Sequence, residues 1–125
     1  NIAPLPIQEM FSKFRIVQNI MLIGDDKPFI SALVTPNFEY IRESSDIKTK
    51  EDSERKISRN KSVQQRISSV IDEVNANLSS YEKIRDFRII PSRWTVENGY
   101  LTPSLKIKRR RVREDYQRYI EDMYQ

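Results

Sequence analysis

The chain has 125 residues, 22 of them basic and 18 acidic, for a formal net charge of +4, and it contains neither histidine nor cysteine. That length suits one domain with a real core but is small for a complete enzyme with a cofactor site. The missing residue types exclude thiol nucleophiles, disulfides, Ser-His and Cys-His catalysis and the common zinc sites, and no metal site is expected. The modest basic excess is compatible with an anionic partner. No apolar run approaches the ~20 residues of a membrane span. The first residues lack a basic region followed by an apolar core, so no secretory signal is expected. Absence of cysteine is compatible with a cytoplasmic protein. Asn1 in place of a methionine hints at a piece of something longer.

In chain order, the first segment is APLPIQEMFSKF. Pro6 suits a helix start, and Ile7, Met10, Phe11 and Phe14 fall on one helical face that packs into a core. IVQNIMLIG and PFISALVTP then read as two strands, antiparallel across the turn Gly24–Pro28. In the second strand Phe29, Ser31, Leu33 and Thr35 share one face, against Ile30, Ala32 and Val34. Asp25 and Asp26 belong to the turn, since no further carboxylate is spaced to complete a metal site. FEYIRESSD begins a short helix, and the charged stretch 44–61 reads as an exposed, mobile connection. Val63, Ile67, Val70, Ile71, Val74 and Leu78 form a helical stripe, with Ser62 and Gln65 at capping-box spacing. FRIIP is a third strand. In WTVENGYLT, Asn98-Gly99 favours a tight two-residue hairpin. Val112, Tyr116, Tyr119, Ile120 and Met123 share one face of a terminal helix. Tyr81, Trp94 and Tyr100 are read as packing residues. The class is α+β: a small, mostly antiparallel sheet with a β-hairpin, covered by helices.

The unusual stretch is LTPSLKIKRRRVR, residues 101–113, which crowds together Lys106, Lys108, Arg109, Arg110, Arg111 and Arg113. Such a run is commonly a solvated helix face or a nucleic-acid arm. A small nucleic-acid-binding domain is the alternative function, although the run lacks interleaved aromatics and no reading motif accompanies it. For the four arginines, solvated charge or pairing is favoured over phosphate binding. Lys106 differs because a proline-stiffened loop sets it ahead of the rest. Its ammonium suits negative charge growing on a phosphate or carboxylate oxygen. With two glycines the chain can hardly build a Gly-rich phosphate loop. A lysine able to neutralise phosphate, on a domain with no nucleotide pocket, points to a pocket on another domain.

The segments NIAP, VQNIMLIGDDKPFISALVTPNFE, SSYEKIRDFRIIP and TVENGYLTPSLKIKRR resemble the adenylate-forming (AMP-binding) enzymes, and in particular the C-terminal domain of the long-chain acyl-CoA synthetases. The likeness covers essentially the whole chain and is weakest over 44–61. It implies an ATP-dependent acyl-CoA ligase that joins a long-chain fatty acid to coenzyme A through an acyl-adenylate, using Mg-ATP. Residues 1–125 would be a single swinging C-terminal domain, lacking the hinge and the N-terminal adenylate-binding domain, its partner in the same chain. This piece alone would be inactive and bind no cofactor. Lys106, in the order Lys106-Ile107-Lys108-Arg109, takes the place of the family's catalytic lysine, and Lys108 does not. Two residues depart from the pattern: Leu105 stands where glycine is usual, and Gln8 where glutamate is common. The resemblance implies a cytoplasmic enzyme, with a peripheral membrane contact through Lys106 to Arg113 compatible with long-chain substrates.

Overall fold

The computed structural model describes residues 4–47 and 53–125. Helix α1 (Pro4–Glu9) leads to strands β1 (Val17–Ile23) and β2 (Ile30–Pro36). Helices α2 (Phe38–Glu43), α3 (Glu54–Arg59) and α4 (Lys61–Asn75) follow, then β3 (Ile84–Ile89), and α5 (Arg109–Asp115) and α6 (Gln117–Met123) close the chain.

The sheet order is β1-β2-β3. β1 and β2 form the expected antiparallel hairpin, with Ile20 opposite Val34 and Ile23 opposite Ser31. Its turn is closed by Lys27 N–H donating to the Gly24 carbonyl at 3.1 Å, with Asp26 at φ +62°. β3 joins β2 in parallel, pairing Ala32 with Phe87 and Val34 with Ile89. A parallel pair needs a crossover, and α2 to α4 supply it.

Every residue of β2 is buried, because helices cover both faces of the sheet. On one side Ile30, Ala32 and Val34 join Ile20, Leu22, Ile84 and the apolar faces of α1 to α4. On the other, Leu33 meets Met21, Ile23, Trp94, Val112, Ile120 and Met123. The period-two assignment of faces in β2 therefore holds. Tyr124 ties the second layer down: its hydroxyl lies 2.8 Å from Ser31 Oγ and donates to the Phe29 carbonyl at 2.9 Å.

Five local expectations are corrected. The first helix stops at Glu9 and continues to Phe14 as tight turns, still burying Ile7 and Phe11. The connection 44–61 is not uniformly exposed: Ile47 is buried, and Ser53 caps α3, whose Ile57 is 0 % exposed. Residues 48–52 of that stretch lie outside the described residues. The cap of α4 is Asn60, whose Oδ1 accepts from Val63 N–H at 3.1 Å, rather than Ser62. Asn reaches the N3 amide from the preceding residue, so Ser62 falls inside the first turn. The terminal helix breaks at Tyr116 (φ −111°) into α5 and α6. Tyr81 is not a packing residue but 76 % exposed, whereas Trp94 is buried against Tyr100 and Tyr116.

Candidate functional site

The basic stretch begins in a loop whose geometry follows from its residues. Asn98-Gly99 does make a tight turn, with Gly99 at φ +87°, but no strands flank it. Asn98 instead braces the turn, accepting from Thr95 N–H at 2.9 Å and donating to the Arg93 carbonyl at 2.9 Å. The antiparallel pairing lies one step later, between Leu101 and Ile107. Between them Leu105 N–H donates to the Thr102 carbonyl at 2.7 Å, and Thr102 N–H to the Lys106 carbonyl at 2.8 Å. This is the bonding of a three-residue hairpin loop with a bulge, which requires a left-handed residue before the closing position. That residue is Leu105, at φ +66°. Glycine would adopt this conformation without steric cost, which gives a physical meaning to the Leu105 departure.

Lys106 closes the loop. Its N–H donates to Thr102 Oγ1 at 3.1 Å, and that oxygen also lies 3.1 Å from Ser104 Oγ. The backbone under Lys106 is thus held while its side chain is exposed. Among the described residues its ammonium has no ion pair and no hydrogen-bond acceptor.

The arginines that follow are occupied differently. Arg109 Nη2 donates to the Leu22 carbonyl at 2.8 Å, tying the start of α5 to β1. Burial pushes its guanidinium pKa down, with Arg113 adding to the effect. Arg110 pairs with Glu114 at 3.4 Å on the exposed helix face. Arg111 pairs with Asp115 at 3.0 Å and lies over the Tyr100 ring, 5.0 Å from its centroid. The Tyr100 hydroxyl also donates to Asp115 at 2.7 Å, and that bond, with burial, raises its pKa from 10.0 to about 12. Asp115 is held below its ordinary value by Tyr100 first and Arg111 second. Lys106, Lys108 and Arg113 are left without a partner among the described residues. Three of the four arginines are therefore internal struts or helix-face pairs, so half of the run's six cations are already engaged and the free charge that a nucleic-acid arm needs is reduced.

The loop borders a groove of about 550 Å³, mostly apolar, between Leu105, Lys106 and Arg109 on one side and Leu5, Gln8 and Phe11 on the other. Gln8 accepts from the outward Leu22 N–H of edge strand β1 at 3.4 Å, so it braces the strand. Reading the residues in order missed the roles of Arg109 and Gln8, because each partner lies far away in sequence. The positive φ of Leu105 was detectable only as a leucine in a glycine position.

Among the described residues no group of three carboxylates could hold a metal ion. The loop offers one ammonium to an anionic oxygen, not a nucleotide cradle. Fold and loop together define a class: an α+β domain that presents a single lysine on a rigid turn beside an apolar groove. More particularly, the family model of the AMP-binding enzyme C-terminal domain matches residues 1–125, and the chain belongs to that family. It is 31% identical over 126 residues to the long-chain-fatty-acid–CoA ligase FadD15 of Mycobacterium tuberculosis, covering 99% of this chain and 21% of that protein. Against long-chain-fatty-acid–CoA ligase 1 of Cavia porcellus the identity is 28%, covering 98% of this chain and 18% of that one. The fold resembles the A domain of a carboxylic acid reductase from Segniliparus rugosus, solved in complex with AMP and a co-purified carboxylic acid, with a TM-score of 0.73 at 23% identity over 98% of this chain and 18% of that one. The chain thus spans about a fifth of the length of these relatives.

Proposed function

We propose that the chain is the C-terminal domain of a long-chain fatty acid–CoA ligase and that Lys106 is its catalytic residue. The observation that carries this reading is the exposed Lys106 ammonium, unpaired among the described residues, on a hydrogen-bonded loop in a chain of this family. Mg-ATP supplies the α-phosphate on which the acid is activated, in a pocket of the N-terminal domain. Lys106 reaches the fatty acid's carboxylate and a phosphate oxygen together. It holds the attacking oxygen in line and offsets the charge of the transition state. Because Thr102, Ser104 and Leu105 fix its backbone in advance, little reorganisation accompanies the reaction. The domain then turns so that the acyl group passes to coenzyme A, and Lys106 has no part in that step. No helix among the described residues is long and apolar enough to cross a membrane. The same reading puts the enzyme in the cytoplasm, with Lys108 and Arg113, unpaired among the described residues, available to an anionic membrane surface.

The test uses the full-length ligase. Lys106→Ala should slow acyl-adenylate formation, followed by pyrophosphate exchange, by on the order of 10²–10³. Thioester formation from acyl-adenylate supplied ready-made should be largely spared. Lys108→Ala removes the same charge and should have a much smaller effect. Equal slowing by both substitutions, or equal slowing of both half-reactions by Lys106→Ala, would reduce the run to a diffuse charged patch and remove the special role of Lys106.

A further inference from the structure

The opposite edge of the sheet carries a second groove. The first runs along β1; this one lies beside β3 and has a volume of about 700 Å³. Phe87, Ile89 and Pro91 give it an apolar floor, and Arg55 and Arg59 of α3 stand over it. These two arginines are four residues apart on one helix, so their side chains rise on the same face, one turn from each other.

Their surroundings are unbalanced. Among the described residues neither guanidinium has an ion pair or a hydrogen-bond acceptor. The nearby carboxylates among the described residues are already taken: Asp86 and Asp122 pair with Arg88 at 3.0 and 2.9 Å, and Glu54 pairs with Arg93. Among the described residues no carboxylate lines the groove. Of its other polar members, Ser58, Arg88 and Ser92 are already engaged, whereas the Gln64 amide and the Tyr119 hydroxyl have side-chain donors free among the described residues. Two unpaired guanidinium groups converge here with neutral hydroxyl and amide groups that can also donate, and no anionic group among the described residues lining the groove balances them, which is the chemistry of an anion site.

The arginines are also mounted rigidly. Ser53 caps α3 through Lys56 N–H at 3.1 Å, Ile57 is fully buried beneath it, and Ser58 Oγ donates to the Arg55 carbonyl at 2.7 Å. Arg93 ties Glu54 of α3 to Glu39 of α2, fixing the helix laterally. Two guanidinium forks held one turn apart match the oxygens of a phosphate, which each can grip with two bonds.

We propose that this groove is a phosphoanion site in which Arg55 and Arg59 make the principal contacts, separate from the Lys106 loop. The phosphate can belong to a free phosphorylated small molecule or to a lipid headgroup, and the test separates the two. Full-length protein labelled with ¹⁵N in its arginines is titrated with inorganic phosphate at constant ionic strength, with chloride as the matched anion. The Nε–H signals of Arg55 and Arg59 should shift together and saturate, while Arg15, beside the other sheet edge, stays still. The double substitution Arg55→Gln, Arg59→Gln should weaken this saturable binding about ten-fold or more, as expected for the loss of charge-assisted bonds. In parallel, the protein is sedimented with phosphatidylglycerol vesicles and with phosphatidylcholine vesicles. Selective binding to the anionic vesicles that the double substitution abolishes would assign the phosphate to a lipid. Both arginines are exposed, so the variants keep the wild-type fold, checked by thermal melting. Phosphate shifts that are linear and alike at all arginines, together with vesicle binding unaltered by the double substitution, would overturn the proposal. Pyrophosphate exchange does not enter the test, so its outcome is independent of the role assigned to Lys106.

Discussion

Ile57→Ala examines the least anticipated contact in the fold. Ile57 is 0 % exposed, yet its helix has only six residues and lies within a segment whose composition reads as solvent-borne. The substitution removes three carbons, a transfer loss of about 2.4 kcal/mol at ~0.8 kcal/mol per methylene. If a void on the order of 40 Å³ persists, it adds about 1 kcal/mol. The expected loss is therefore about 3 kcal/mol, a large share of the stability of an ordinary domain. Local release of α3 sets the ceiling, because a helix that detaches alone cannot report more than its own docking energy. Urea unfolding followed through Trp94, the single tryptophan and a buried one, measures this directly. The midpoint should fall with the slope unchanged. Lys56→Ala, on the exposed face of the same helix, should stay within about 0.5 kcal/mol. A loss below about 1 kcal/mol for Ile57→Ala would mean that α3 does not dock as described, and the rigid mounting of Arg55 and Arg59 would fall with it.

Other expectations follow from single contacts. Asn60→Ala should destabilise the domain by about 1 kcal/mol in thermal unfolding, while Ser62→Ala changes little, because the cap of α4 is Asn60. Tyr100 titrates at about 12 when folded against 10.0 when unfolded, so its contribution is complete below pH 10 and fades between pH 10 and 12. Tyr100→Phe should lower the melting temperature at neutral pH and remove this alkaline limb, so that the two proteins converge above it; parallel melting curves across that range would contradict the bond to Asp115. At Leu105, φ +66° makes a β-branched substitute costly, and Leu105→Val should lose about 1–2 kcal/mol. Leu105→Gly should be nearly neutral, since relief of strain and the greater entropy of the unfolded chain offset one another.

Much of the candidate site was legible in the linear order of residues. The order turn, Thr-Pro, lysine, basic cluster identified the loop. The alternation in β2 told its two faces apart, and the stripe from Val63 to Val74 marked α4. What resisted reading was whatever depended on a distant partner. Arg109 reads as one more cation in a row, and only its contact with the Leu22 carbonyl, 87 positions away, makes it a strut. Asn98-Gly99 reads as a hairpin, and its turn does form. Asn98 nevertheless bonds back to Thr95 and Arg93, so the pairing moves to Leu101 and Ile107.

Local periodicity and turn chemistry by themselves determined the α+β class, the turn between β1 and β2, the two faces of β2 and the apolar stripe of α4. They act over a few residues, through side-chain direction and backbone sterics, and so they survive in the linear order of residues. Tertiary structure alone decided that β3 runs parallel to β2, that a short charged helix is pinned by one isoleucine, and which cations are left unpaired. Those outcomes depend on which surfaces meet when two layers of helices close on the sheet. A charge is neutralised or left free by a neighbour that can lie almost anywhere else in the chain.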